Sequence, residues 1–463
     1  MNFMRRLFLT SPPESGNHHH VMKTKEPTLS RSIGLFALTL YGIGDILGSG
    51  IYGLVGKAAG EMGSAVWLGF LVSMIAAGLT GLSYASLGSR YPKAGGAAYT
   101  TYRAFKSGFI AYVVGLAVLA SGLTSMATAA RVFSGYFTGF GLPIPPTLVA
   151  ILFSAFIAAV IYRGIKESVF TNGIFTFIEL GGLLFILFVG ARFIGSTNYF
   201  DATTVANPTG ELSLSLLLTG AVLTFYSFVG FEDMLNVAEE VKEPRKNMPR
   251  GLILAIAISS LIYMGISIVA VSVIPPMELA QSNQPLVDVV AKAAPWFPTQ
   301  VFSFVAMFAV ANTALLNFIM GSRLLYGMST SGLVPRLLSK VHPKRRTPHL
   351  AVFTVWGLFV ILILSGDVSS LAKATSVLLL SCFVVVNLAL ILLKRSEKIE
   401  GAFEVPAIVP ALGALICLAM LSKAGAAELM MAGVILTVIV VLYFVMRPNP
   451  QSISQMDELD KIA

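Results

Sequence analysis

Long apolar runs alternate with short polar connections along this chain. Twelve apolar segments stand out, at about 33–58, 65–88, 108–135, 146–162, 169–194, 212–240, 250–275, 299–328, 350–365, 370–393, 405–422 and 426–446. A helix needs about 20 apolar residues to cross the hydrocarbon of a bilayer. The connections carry turn chemistry, as in "RYPKAGG", "KEPRKNMPRG" and "HPKRRTPH". The pattern predicts an all-α polytopic membrane protein with twelve transmembrane helices and no sizeable soluble domain. Composition agrees: 56% of the 463 residues are hydrophobic and only 12% charged, against about a quarter charged in soluble domains.

The net charge of +9 gains its meaning from where the charges sit. With the N-terminus inside, 25 of the 32 Lys and Arg fall in inner connections, and only Lys57, Arg192, Lys292, Lys373 and Lys423 lie outside. This bias predicts both termini in the cytoplasm of an inner (plasma) membrane protein. It also accounts for the basic balance through anionic lipid, with no nucleic-acid partner. The start, "MNFMRRLFLTSPPESGNHHHV", has too short an apolar patch for a signal peptide. Residues 1–21 read as a disordered leader or a misplaced start, before a polar stretch that opens at Met22. Cys382 and Cys417 both lie in apolar runs, so no disulfide framework is expected.

Two segments are interrupted. The first holds "YGIGDILGSGIYG", residues 41–53, in which five of thirteen residues are glycine. The sixth reads "LTFYSFVGFEDMLNVAEEV", with Ser227 and Gly230 in its middle. One such glycine pair alone would read as a helix-packing contact. Two clusters five segments apart, in helices of opposite direction and each beside an acidic residue, point to an inverted-repeat transporter with broken helices 1 and 6. Unwound backbone within a membrane is tolerated where it lines a cavity or is buried in protein. The amides of Ser49, Gly50 and Ile51 open the second half of the first helix, whose positive dipole end suits a carboxylate. Carbonyls near Asp45 to Leu47 and Tyr226 to Phe228 suit an ammonium group. Glycine at 48 and 50 lets a ligand approach the main chain.

These stretches, with "GSRLLYGMSTSGLVP" and "VHPKRRTPH" in the same order, resemble the amino acid–polyamine–organocation family of permeases, which has a LeuT-like five-plus-five fold. The resemblance spans nearly the whole chain and implies secondary transport of amino acids or related amines. It implies that Ser49, Gly50 and Ile51 hold the substrate carboxylate, and that backbone near Tyr226, Phe228 and Gly230 holds its amino group. By the same resemblance, Phe231 falls where the family carries an aromatic gate. The expected organisation is a cytoplasmic leader (1–30) and a transport core (31–395) of two repeats, about 31–195 and 212–395. Two additional helices (404–447) and a tail (448–463) follow.

Asp45 is the single charge in residues 32–56, and Glu179 the single charge in 168–191. Both fall near the bilayer midplane, with no Lys, Arg or His at similar depth. Such acids are expensive unless they face a cavity or a partner. Either they are protonated and serve packing, or they load and release the coupling ion, expected to be a proton. Members of the resembled family often have lysine at the position of Glu179 and a small residue at that of Asp45, so the coupling residues here depart from that pattern. Glu232 and Asp233 open the inner half of the sixth segment, where acids stabilise the helix dipole. The resemblance adds Glu232 as a coupling candidate. Asn312, Thr313 and Asn317 either line the cavity or bridge helices. All five histidines lie in the leader or at 342–349, so no metal site is expected in the core. No cofactor, obligate protein partner or enzyme activity is expected, since no phosphate-binding loop or nucleophile–base set occurs. A carrier of amines, polyamines or an inorganic cation is the alternative, and an amino-acid sensor a more distant one.

Overall fold

The computed structural model describes residues 33–92, 96–163, 169–330, 334–343, 345, 347–396 and 398–446. The expectations for the leader and the tail lie outside them. Each of the twelve apolar segments is helical. The first is α1 (Leu35–Ile46) and α2 (Ser49–Met62), and α3 (Val66–Arg90) follows. Then come α4 (Gly96–Phe105), α5 (Gly108–Thr138), α6 (Pro146–Tyr162) and α7 (Val169–Gly190). The sixth segment is α8 (Leu214–Phe225), continued by two 3-10 helices at Tyr226–Phe228 and Phe231–Glu240. After it run α9 (Pro244–Val273), α10 (Pro276–Gln281), α11 (Pro285–Ala293) and α12 (Thr299–Thr330). The last four are α13 (His349–Ser365), α14 (Val368–Ser396), α15 (Ile408–Leu421) and α16 (Ala426–Met446). No β-strand occurs among the described residues; one isolated bridge joins Ile33 and Val241. Among the described residues, eight helical spans are long and apolar enough to cross a membrane, and four apolar helices of 10–17 residues accompany them.

Three short helices lie in stretches expected to be connections: α4, α10 and α11. The last two each begin with proline, which at the first helical position costs no hydrogen bond and presets φ. The start of α9 also differs from expectation, by about a turn and a half, although Pro249 lies inside it. Pro249 has no N–H to give the carbonyl four residues back. That carbonyl, Arg245 O, instead accepts from the Ser89 hydroxyl at 2.8 Å.

Burial separates interior from periphery. In α5, 72% of the most apolar window is inside the protein, against 11% in α16, whose exposed Met430, Val434, Val438 and Val445 form a lipid-type face. Small residues let the helices approach: Gly42 meets Ala255, Gly251 meets Leu38, and Gly81 meets Ile256. Polar groups join helices elsewhere. Asn387 on α14 is fully buried. It accepts from the Ser83 hydroxyl at 2.7 Å and donates to Thr80 Oγ1 at 3.1 Å and Phe383 O at 2.8 Å. Hydrogen bonds between membrane helices contribute ~0.6 kcal/mol on average, and this side chain makes two of them, to Ser83 and Thr80. Asn387→Ala is therefore expected to destabilise the fold by about 1–2 kcal/mol. Thermal unfolding in detergent measures this, and an unchanged melting temperature would rule out the network as a tie between α3 and α14.

Candidate functional site

Both breaks have the same local construction: one extended residue, then a glycine with positive φ. Leu47 is extended (φ −64°, ψ 158°) and Gly48 follows at φ 133°. Val229 is extended (φ −61°, ψ 136°) and Gly230 follows at φ 124°. L residues rarely adopt that φ, so glycine is required at 48 and 230. Gly50 has a different role. It is helical, and a Cβ there would lie 2.4 Å from the Cα of Ser227. A Cβ on Gly230 would lie 2.5 Å from the backbone oxygen of Asp45. The two breaks therefore pack directly against each other.

Side chains from other helices take up the polar groups that the breaks free. The Ser49 amide, first of α2, donates to Thr313 Oγ1 at 3.2 Å. The hydroxyls of Ser49 and Tyr226 share a hydrogen bond of 2.8 Å, and Tyr226 donates to Ser125 O at 3.1 Å. Tyr263 on α9 has its hydroxyl 2.5 Å from Ile46 O and 2.7 Å from Ser227 O. These carbonyls close the two half-helices. A phenol has one proton, so it serves one carbonyl at a time and leaves acceptor capacity on the other. Ile46, Leu47, Asp45, Ser49 and Gly50 line a narrow cleft with Ser125, Tyr226, Val229, Thr313 and Asn317. No lining residue is basic.

Asp45, Ser49, Gly50 and Tyr226 thus come together at one cleft. Gly48 and Gly230 shape the breaks without lining the cleft, and Ile51 follows as the third residue of α2. Phe228 is buried with its ring edge-on to Tyr263, centroids 5.2 Å apart. Phe231 lies between Tyr84 and Phe383, at 5.7 and 5.2 Å, in packing beside the cleft. The site also uses residues that sequence reasoning missed or left open. Tyr263 and Ser125 were missed, while Thr313 and Asn317 were among the open ones. Tyr263 did carry a signal: a tyrosine within an aliphatic membrane helix needs a partner for its hydroxyl.

The acids divide. Glu232 Oε2 accepts from the Gly230 amide at 3.0 Å, and Asp233 N–H donates to Gly230 O at 3.0 Å. Glu232 thereby caps the restart of the sixth segment. Glu179 is completely buried. Its backbone oxygen accepts from the Tyr52 hydroxyl at 3.0 Å, but neither carboxyl oxygen has a hydrogen-bond partner among the described residues. Its Oε1 and the Thr313 hydroxyl converge on Gly48, at 3.4 and 2.0 Å from where a Cβ would stand.

Removing the Tyr263 hydroxyl leaves two buried carbonyls without their shared donor. Tyr263→Phe is expected to cost about 1–3 kcal/mol in stability and to lower ligand-induced thermal stabilisation. Calorimetric melting with and without ligand checks both, and native behaviour in both would rule out the clamp.

Comparison with known proteins adds three relatives. A branched-chain amino acid permease of Bacillus subtilis (strain 168) is 28% identical over 453 residues, covering 93% of this chain and 96% of the relative. A methylthioribose transporter of the same organism is 27% identical, over 90% of this chain and 92% of the relative. Cationic amino acid transporter 4 of Mus musculus is 30% identical, over 80% of this chain and 60% of the relative. The amino acid permease family model matches residues 33–452. That span takes in both breaks and every helix that packs on them, and the chain belongs to the amino acid permease family.

Proposed function

We propose that this protein is a secondary transporter that moves amino acids across the inner (plasma) membrane by alternating access, coupled to protons. The observation that carries this reading is the pair of back-to-back breaks at Gly48 and Gly230, because unwound backbone at membrane depth suits a cavity that binds a zwitterion. The twelve helical segments serve as twelve crossings, with both termini cytoplasmic and two inverted repeats of five, about 31–195 and 212–395. The family membership and the relatives' amino acid substrates support the substrate class.

The amides of Gly50 and Ile51 have no acceptor within α2, being in its first turn, and the dipole there favours the substrate carboxylate. The ammonium group takes the carbonyl that Tyr263 leaves open, Ile46 O or Ser227 O. Glu179 carries the proton. An ionised carboxylate at its depth costs at least a few kcal/mol without a partner, so its charge state follows access to water as the cleft opens. Glu232, already engaged by the Gly230 amide, is the second candidate for coupling. Phe231 supports the gate from its place between Tyr84 and Phe383.

The second reading is a carrier of amines, polyamines or an inorganic cation. It is favoured by one observation: Asp45 lines a cleft with no basic residue. Competition by putrescine, spermidine and potassium against amino acids separates the two, and inhibition by the carboxylate-free compounds alone favours the second.

Uptake of labelled amino acids into proteoliposomes should rise several-fold with an imposed pH gradient. Equal uptake without a gradient, or dependence on sodium, sinks proton coupling. Glu179→Gln should abolish the response to the gradient while leaving the melting temperature unchanged or higher, since it removes a buried ionisable group. A native pH response in that variant would return Glu179 to packing.

A further inference from the structure

A three-charge cluster lies away from the cleft, where α2, α14 and α16 meet. Lys373 Nζ on α14 is 2.6 Å from Glu61 Oε1, in the last turn of α2, and 3.9 Å from Glu428 Oε1, in the first turn of α16. All three side chains are largely shielded, at 16%, 30% and 12% exposed. One cation therefore stands between two carboxylates that belong to different helices.

We propose that Lys373 is handed from Glu61 to Glu428 when α2 swings away from α14, so that its charge keeps a partner throughout. This rests on the alternating-access reading, which requires α2 to move. The other ties of α2 are close packing and hydrogen bonds, among them those of the Tyr136 hydroxyl to Tyr52 O at 2.6 Å and the Tyr52 hydroxyl to Glu179 O at 3.0 Å. Gly56 approaches Leu279 O, Gly60 approaches Ala280, and Lys57 Nζ donates to Ala280 O at 2.7 Å. The ion pair is different, because separating two shielded charges leaves each without its partner.

The second carboxylate removes that obstacle. Coulomb attraction falls as the inverse of distance, so at 3.9 Å against 2.6 Å Glu428 already supplies about two thirds of the attraction at equal dielectric. A small rotation of the lysine restores the rest. The helix dipoles give the exchange a direction. Glu428 is stabilised at a helix N-terminus without Lys373, whereas Glu61 sits at a C-terminus, where negative charge is disfavoured. Glu61 therefore holds the lysine in the packed state. Its second oxygen, Oε2, is buried with no hydrogen-bond partner among the described residues, and water reaches it once α2 moves out. Lys373 then finds Glu428 in place. The last helix, lipid-facing along most of its length, thus acts in the cycle through its first turn.

A double-mutant cycle tests the exchange. Leu279 is fully buried beside Gly56, so L279C, in a background with C382A and C417A, reports separation of α2 from α10 by its maleimide labelling rate in detergent. E61Q should speed labelling several-fold. E428Q should slow it by about threefold or more with Glu61 present. In the E61Q background it should change the rate by less than about twofold, because Lys373 then pairs with Glu428 in both states. Equal slowing in both backgrounds, or none, overturns the hand-over. If E61Q itself leaves labelling unchanged, movement of α2 fails as a premise, separately from the hand-over. Should E428Q not fold, E428D, with its charge on a shorter arm, is expected to slow labelling with the same dependence on Glu61.

Discussion

In the hydrocarbon core of a membrane every backbone amide and carbonyl needs a partner within the protein. Two interrupted helices in one bundle strain that requirement most, and most of this structure can be understood as its solution. The breaks lie against each other, so that glycine at 50 and 230 removes the side chains that would hold them apart. Thr313 takes up the first amide of α2, Glu232 the amide of Gly230, and Tyr263 one of the two terminal carbonyls at a time. The polar groups of both breaks converge from two halves of the chain onto one cleft.

The same requirement sorts the charges. Glu232 has an amide and a helix start to stabilise it. Glu179, equally buried, has nothing comparable on its carboxyl oxygens among the described residues. Ion pairs lie toward the helix ends instead: Arg90 meets Glu404 at 2.6 Å, Lys394 meets the same carboxylate, and Lys373 meets Glu61 and Glu428.

Much of the architecture is legible from the chain itself. Apolar length depends on the surrounding lipid, and all twelve segments fall on helices, the largest difference being the early start of α9. Gly48 and Gly230 are legible for a related reason, since positive φ is a local demand on one residue. Other features were not. The helices α4, α10 and α11 are short and are held by neighbours rather than by their own periodicity. Ser89 supplies Arg245 O across 156 positions, which lets α9 begin before its proline.

By itself, then, the sequence determined a multi-helix membrane protein with two glycine breaks and two isolated acids within its apolar runs, because hydropathy, charge and backbone freedom act residue by residue. Only the tertiary structure decided what each polar residue does. Tyr263, Thr313 and Ser125 are ordinary residues in apolar helices until packing brings them to the breaks. Phe231 joins the Tyr84 and Phe383 cluster because the 3-10 turn after Gly230 carries its ring there. Glu232 and Glu179 are both buried acids, and the structure shows that a backbone amide lies within reach of the first carboxylate only, among the described residues.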